Sequence, residues 1–210
     1  MLLNIPFYEN KSDGKQCMQV AMQCVLKHFL NKEYSLEELD HLTKRKVDLW
    51  TWTPQIVSVL HDLGLNVHYY SATPLEPFLE GESFIRKQYG ADADHVLKNT
   101  DVSAVVESAK RLMKYTCFEQ RVLPFKEVED ALNRGIVPLM LIDYNKIKGK
   151  EGPYQGHFIV VTGFDENSVL FHESGPHNAE PNKRVVKQTF IDAWNARGTD
   201  NDIVLVFGKR

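Results

Sequence analysis

Two hundred and ten residues, 43% apolar and 25% charged, have the composition of an ordinary globular chain, which excludes disorder, collagen-like repeats and low complexity. Twenty-five basic against 28 acidic side chains leave a net charge of −3, so electrostatics gives no case for nucleic acid or an anionic membrane as partner. A chain this long can bury about 70% of the surface its unfolded form exposes, enough core to need no metal or disulfide staple.

In chain order, residues 4–8 read as an extended start and 10–14 as a loop. Residues 16–30 read as a helix that is apolar almost all round, broken by Gln19, Gln23 and Lys27 on one narrow stripe; so little polar surface predicts a central, buried helix. Ser35-Leu-Glu-Glu38 is a capping box that opens a helix through about Lys44. Thr53-Pro54 supplies an N-cap and an N1 proline for a third helix, which Gly64 stops. Residues 65–70 form a strand, and 74–117 read as mainly helical, with Val102, Val105, Val106, Ala109, Leu112 and Met113 at helical spacing. The last third changes character: a helix over 125–134, strands over 137–144, 157–163 and 169–172, a helix over 189–196 and a strand over 203–207. The hairpin arms are apolar on both faces, which predicts a sheet covered on each side. Helices first and antiparallel strands later make an α+β chain.

Cys17 stands in the first turn of the buried helix, where unpaired N–H groups and about half a positive charge gather. Both favour thiolate over thiol and make Cys17 a candidate nucleophile. The competing reading is a core cysteine, since free Cys is among the most buried residue types. Cys24, two turns further in, and Cys117, with no partner motif, read as structural. Three scattered cysteines form neither a disulfide framework nor a CxxC pair.

A thiol nucleophile needs a base and the base an orienting group. Of eight histidines, His157 opens an apolar strand after Gly156, whereas His28, His41, His61, His68 and His95 fall in or beside the helical first half. A turn centred near Glu166 sets residue 157 opposite roughly 173–175 in an antiparallel ladder, which brings Glu173 within reach of His157. Asp165, near the hairpin tip, lies about 26 Å along the strand at 3.3 Å per residue and reads as an exposed turn residue. His172, Glu173 and His177 match no zinc-ligand spacing, and no glycine-rich phosphate loop follows a strand. No metal or other cofactor is expected. Trp50 and Trp52 would either line a substrate groove or pack in a core.

The Ile-Pro-Phe-Tyr start, a Cys heading a buried helix, Gly-His-Phe-Ile-Val-Val-Thr-Gly-Phe-Asp over 156–165 and Val-Leu-Phe-His-Glu over 169–173 resemble the papain-like superfamily. Within it the sequence is most similar to the peptidases that remove double-glycine leaders from bacteriocins, and to their stand-alone relatives. Leu123-Pro-Phe-Lys-Glu-Val-Glu-Asp-Ala-Leu-Asn-Arg-Gly-Ile-Val-Pro138 and Phe190-Ile-Asp-Ala-Trp194 resemble that family's helix before the His strand and its closing Phe-x-x-x-Trp helix. About residues 72–122 have no counterpart. Three positions differ: Met18 follows the Cys where the family has Gly, Glu173 stands for its Asp, and Lys11 stands where it has an oxyanion-hole Gln. Asn10, one position earlier, carries an amide donor, and Gln16 is the competing one.

The resemblance implies a papain-like cysteine peptidase fold in one domain over 1–210; the helical subregion read from spacing at about 72–122 lies outside it and is expected to build or cover part of the cleft. It implies a Cys17–His157–Glu173 triad, an oxyanion hole from the Cys17 N–H with Asn10 or Gln16, and a peptide or acyl substrate. Hydrolysis of a peptide or amide bond through an acyl-enzyme is the first expectation. Acyl transfer to an amine by the same triad, or a non-catalytic peptide-binding domain, are the alternatives. With no signal-peptide pattern and no apolar run of membrane-spanning length, a cytoplasmic location with reduced thiols is expected.

Overall fold

The computed structural model describes residues 1–10 and 14–210; Lys11, at the position of the leader peptidases' glutamine, lies outside the described residues, as does Asp13. Helix α1 (Cys17–Leu30) starts directly after Gln16, and its end is closed by Asn31 in the left-handed conformation, whose N–H reaches back to the Leu26 and Lys27 carbonyls. Seven of its apolar residues are buried, from Met18 to Leu26. The polar stripe is not a solvent face. Gln19 is fully buried, its amide donating to the Thr43 and Thr51 hydroxyls at 3.1 and 2.8 Å. Gln23 donates to the Tyr34 carbonyl, and Lys27 pairs with Glu33. The stripe is the seam on which the next helix docks, its buried amide satisfied as buried polar groups must be.

That helix, α2 (Leu36–Thr43), carries the expected capping box between Ser35 and Glu38. Helix α3 (Thr53–Asp62) starts one residue earlier than its sequence signal: Trp52 is the cap, its N–H donating to Gln55 Oε1 at 2.8 Å. The Thr53 hydroxyl, expected to cap, donates instead to Asp202. Strand β1 (Leu65–Ser71) leads into the helical subregion: a 3₁₀ turn (Glu76–Glu80), α4 (Glu82–Tyr89), α5 (Ala93–Lys98) and α6 (Val102–Leu112). These surround a small core of Phe78, Phe84, Ile85, Val96, Val105 and Ala109. Trp52 packs there edge-on to Phe78, and Trp50 lies edge-on to His95, so both tryptophans are packing residues.

The remaining elements are β2 (Phe118–Gln120), α7 (Phe125–Asn133), β3 (Val137–Asp143), the single turn α8 (Tyr144–Ile147), β4 (Gly156–Phe164), β5 (Ser168–Glu173), β6 (Glu180–Val186), α9 (Lys187–Trp194) and β7 (Ile203–Lys209). Among the described residues the strands form one sheet in the order β2-β1-β7-β3-β4-β5-β6, antiparallel except for β1 with β2. The two strands absent from the sequence reading, β2 and β6, are its edges. β6 carries Glu180, Pro181, Lys183 and Arg184, the charges and proline that edge strands use and that read as loop. Both faces are covered. α1 and α3 pack on Val137, Leu139, Phe158, Val160, Val204 and Val206, while α7 and α9 pack on Met140, Ile142, Ile159, Val161, Phe171 and Leu205. Among the described residues no helix is long and apolar enough to cross a membrane.

The β4–β5 ladder contains one irregularity that sets the site. Gly163 and Phe164 pair with Leu170 and Val169, but Val161 and Val160 pair with Phe171 and His172, so Thr162 is an extra residue. The inner pairing ends at Val160 opposite His172, and alternation along each strand places His157 and Glu173 on the face of the Val161–Phe171 pair. Without the bulge the pairing would slip by one, and alternation would put the two side chains on opposite faces. The chain's first residues fasten this point: Leu3 N–H donates to Thr162 O at 2.7 Å and Phe164 N–H to Met1 O at 3.0 Å. A Cβ on Gly163 would come within 2.3 Å of the Met1 carbonyl. Gly163→Ala is therefore expected to unseat the N-terminal segment and lower stability by about 1–3 kcal/mol, read as a fall in denaturation midpoint together with faster proteolysis of residues 1–10.

Where β1 ends and β7 begins, the buried Asp202 accepts from the Thr53 and Tyr69 hydroxyls. Burial and the Asp200 charge push its carboxyl up to about 7, although the hydroxyl donors oppose them. A carboxyl raised in the fold favours the folded state when protonated, so its contribution is complete below the unfolded value of about 3.9 and is lost as pH rises to about 7. Asp202→Asn should therefore gain thermal stability relative to the parent between pH 5 and pH 8, which paired melting curves at the two pH values would measure.

Candidate active site

The β4–β5 ladder closes at Val160 opposite His172. Beyond that point no β4–β5 pairing continues among the described residues. Gly14, at φ +76°, lies close under Pro176, with 3.2 Å between a built Cβ and Pro176 Cγ, so a side chain there would crowd the approach to α1. Cys17, the first residue of α1, is partly exposed. The His157 ring and the backbone N–H groups of Phe158 and Met18 act on its sulfur, each favouring the thiolate. His157 lies at the start of β4 and is 7% exposed, and its Nε2 is 2.9 Å from Glu173 Oε1, which leaves Nδ1 for the sulfur. Glu173 ends β5, fully buried, and its Oε1 also accepts the Gly175 N–H at 3.1 Å. Cys17 at the surface, His157 behind it and the buried Glu173 thus lie in series, with the His157–Glu173 hydrogen bond at the inner end.

Burial opposes every charge in this line, and mutual pairing overcomes it. Burial alone would raise the Cys17 thiol, but the His157 hydrogen bond and charge, with the two backbone donors, bring it below the ordinary value. Burial alone would lower His157, but Cys17 and Glu173 raise it to about 9. Glu173 is pushed up by burial and pulled down further by His157, the Tyr144 hydroxyl and the Gly175 N–H, ending below the usual range. All three shifts run toward a thiolate–imidazolium pair backed by a carboxylate. The other two thiols are raised by burial, Cys24 to about 12.

The two candidate amides differ in their surroundings. Gln16 Nε2 donates to Asp40 Oδ2 at 2.7 Å, and that carboxylate is bridged by Arg45 at 2.8 Å. Asn10 is 2% exposed, and its amide nitrogen and oxygen have no hydrogen-bond partner among the described residues. Its backbone N–H donates to the Ser174 carbonyl at 2.7 Å, next to Glu173. Asp165 stands at the hairpin turn, half-exposed and paired with Arg184. Both ring nitrogens of His172 are engaged, with the Ile5 carbonyl and the Asn182 N–H. Among the described residues no group of three or more potential metal ligands comes together. Sequence reasoning missed Tyr144, whose ring lies 4.8 Å from that of His157. The available signal was Asp143, a residue suited to capping a short turn there.

The family model of the guanylylate cyclases matches residues 10–206, nearly the whole chain. The chain belongs to the guanylylate cyclase family. This guanylylate cyclase family member has the fold of C39-like peptidases. It superposes on the peptidase domain of Streptococcus ComA, a bi-functional ABC transporter of a quorum-sensing pathway, over 98% of both chains, with a TM-score of 0.51 and 14% identity. It also superposes on a structure described as that of a C39-like peptidase from Bacillus anthracis, over 99% of this chain and 98% of the other, with a TM-score of 0.56 and 8% identity. The α+β peptidase-like fold expected from the sequence is thus present, in a chain whose family is that of the guanylylate cyclases.

Opposite shifts of the three thiols give a direct test. Iodoacetamide at pH 6–7 should label Cys17 at least about tenfold faster than Cys24 or Cys117, since each pKa unit of separation is a tenfold difference in thiolate; peptide mass mapping over time would measure it. Equal rates at the three positions would count against the thiolate pair.

Proposed function

We propose that this chain is a cysteine-dependent acyl hydrolase acting on a peptide or amide bond. The observation that supports this reading is the buried His157–Glu173 hydrogen bond behind Cys17, whose thiol is pulled toward thiolate at a partly open helix N-terminus. The peptidase-like fold agrees with it. The Cys17 thiolate attacks the carbonyl carbon, a C–S bond forms, and the carbonyl π pair moves onto oxygen. His157 gives its proton to the leaving nitrogen as the C–N bond breaks. A water then attacks the thioester, losing a proton to His157, and the thiolate departs. Glu173 orients the ring and stabilises imidazolium. For the oxyanion we assign the Cys17 N–H and the Asn10 amide; Asn10 is supported by its buried, unpartnered state, whereas the Gln16 amide already donates to Asp40.

The family's name carries a second reading, cyclisation of a guanine nucleotide, supported by the match over residues 10–206. The two chemistries separate on Cys17. Incubation with a panel of peptide thioesters and esters should give a covalent acyl adduct on Cys17, detected by intact mass. Cys17→Ala should abolish it, and His157→Ala should cost nearly as much because such groups act as a unit. Glu173→Gln should be milder, and Asn10→Ala should slow acylation by about 10²–10³. Turnover that requires an added amine would make the chain an acyltransferase. Absence of any adduct, with cyclic guanosine monophosphate formed from guanosine triphosphate equally by the parent and Cys17→Ala, would replace the acyl reading by the nucleotide one.

A further inference from the structure

The line of hydrogen bonds leaves one atom unserved. Glu173 is fully buried and its Oε1 takes both the His157 and the Gly175 donors, while Oε2 has no hydrogen-bond partner among the described residues. A buried carboxylate oxygen without a donor is costly. Tyr144 stands beside it, rigidly placed. Asp143 Oδ1 accepts the N–H groups of Asn145 and Gln155 at 3.0 and 3.2 Å, and Tyr144 N–H donates to the Gln155 carbonyl at 2.8 Å. This clamp turns the chain at the end of the ladder in which Ile142 faces His157. The Tyr144 ring then lies over the imidazole, 4.8 Å between centroids at 44°, within the range in which an aromatic ring stabilises a cation. Burial and the Glu173 carboxylate, with Glu180 adding, raise the Tyr144 phenol, and the phenol in turn lowers Glu173. The other charges near the ring are Lys148 and Lys183, at 4.4 and 6.0 Å from its centre.

We propose that Tyr144 is a positioning residue of the Cys17–His157–Glu173 array: its ring shields the His157–Glu173 hydrogen bond from water, and its hydroxyl donates to Glu173 Oε2 when His157 carries its proton. The proposal rests on reading the array as the reactive site. A shield and a second donor do what one hydrogen bond to Oε1 does not. They fix the carboxylate plane, keep it ionised, and hold the imidazolium in the orientation that faces the sulfur.

The test compares the full chain with Tyr144→Phe and Tyr144→Ala, each checked for folding by its melting curve. Two quantities are read: the pH inflection of Cys17 alkylation by iodoacetamide, and the His157 Nε2–H resonance in a ¹⁵N-edited spectrum. Tyr144→Ala should move the inflection up by about one pH unit, a tenfold loss of thiolate on the steep limb, and lose the ring proton to solvent exchange. Tyr144→Phe should keep the ring proton and shift the inflection less. If Tyr144→Ala does not fold, Tyr144→Leu, which fills the space without an aromatic ring, replaces it. An unchanged inflection and a retained ring proton in the Ala or Leu variant would overturn the proposal while leaving the array intact. A Tyr144→Phe variant identical to the parent in both readouts would overturn the hydroxyl's part. An ordinary thiol inflection in the parent protein itself would overturn the array, and this proposal with it.

Discussion

The extra residue at Thr162 in β4 shifts the pairing with β5 by one position, and on that offset depends which side chains meet at the far end of the hairpin. Side chains alternate along a strand, so a register is also a choice of face. Beyond the bulge, Ile159, Val161 and Phe171 lie together against α7 and α9, and His157 and Glu173 continue that same alternation to the sheet's end. The bulge is held from outside the hairpin. Met1 and Leu3 bond to Phe164 and Thr162 across Gly163, where the carbonyl of Met1 occupies the space a side chain would need. The N-terminal segment thus locks the register and then carries the chain past Ser174 toward Cys17.

Once the register is set, the site is governed by burial against pairing. Each of the three groups is disfavoured as an ion by its removal from water, and each is shifted back toward its ionised form by its neighbours. Such coupling is cooperative, because a thiolate without the imidazolium, or an imidazolium without the carboxylate, would be a buried charge with too little compensation. It also ties the chemistry to the seating of α1. The helix brings its N-terminus and the Met18 N–H to the sulfur, and the strand brings the Phe158 N–H. The stripe Gln19, Gln23 and Lys27 holds α1 to its neighbours through defined polar contacts, which fixes where the nucleophile stands along the helix axis.

The same end of the sheet holds a second polar group. Asp202 and Asp200 lie at the start of β7, beside Tyr69 and Thr53. Here burial wins for Asp202, whose carboxyl is raised by it and by the neighbouring acid. The contrast with Glu173 is instructive. Both carboxyls are buried at the sheet's end, but Glu173 faces an imidazolium and a backbone N–H, whereas Asp202 faces neutral hydroxyls and another acid. Partner charge helps to separate the two.

The sequence by itself determined the elements with strong local signals and the identity of the reactive candidates. The Ser35–Glu38 box, the apolar run of α1 and the apolar strands of the C-terminal third are legible because their patterns are local and their burial is extensive. Cys17 stood out by its place at a helix start, and His157 and Glu173 by hairpin spacing. Only the tertiary structure decided the rest, and the reason is the same each time: the deciding partner is remote in sequence. Thr53 reads as a cap until Asp202, 149 residues away, takes its hydroxyl. Gln19 reads as surface until Thr43 and Thr51 close over it. Spacing alone placed Glu173 near His157, but the bulge at Thr162, made where the chain's first residues cross Gly163, set the face they share. Tyr144 read as the end of a strand before a polar loop, because nothing in residues 144–155 announces a ring folded back over His157; the clamp at Asp143 that folds it depends on Gln155 returning beside it.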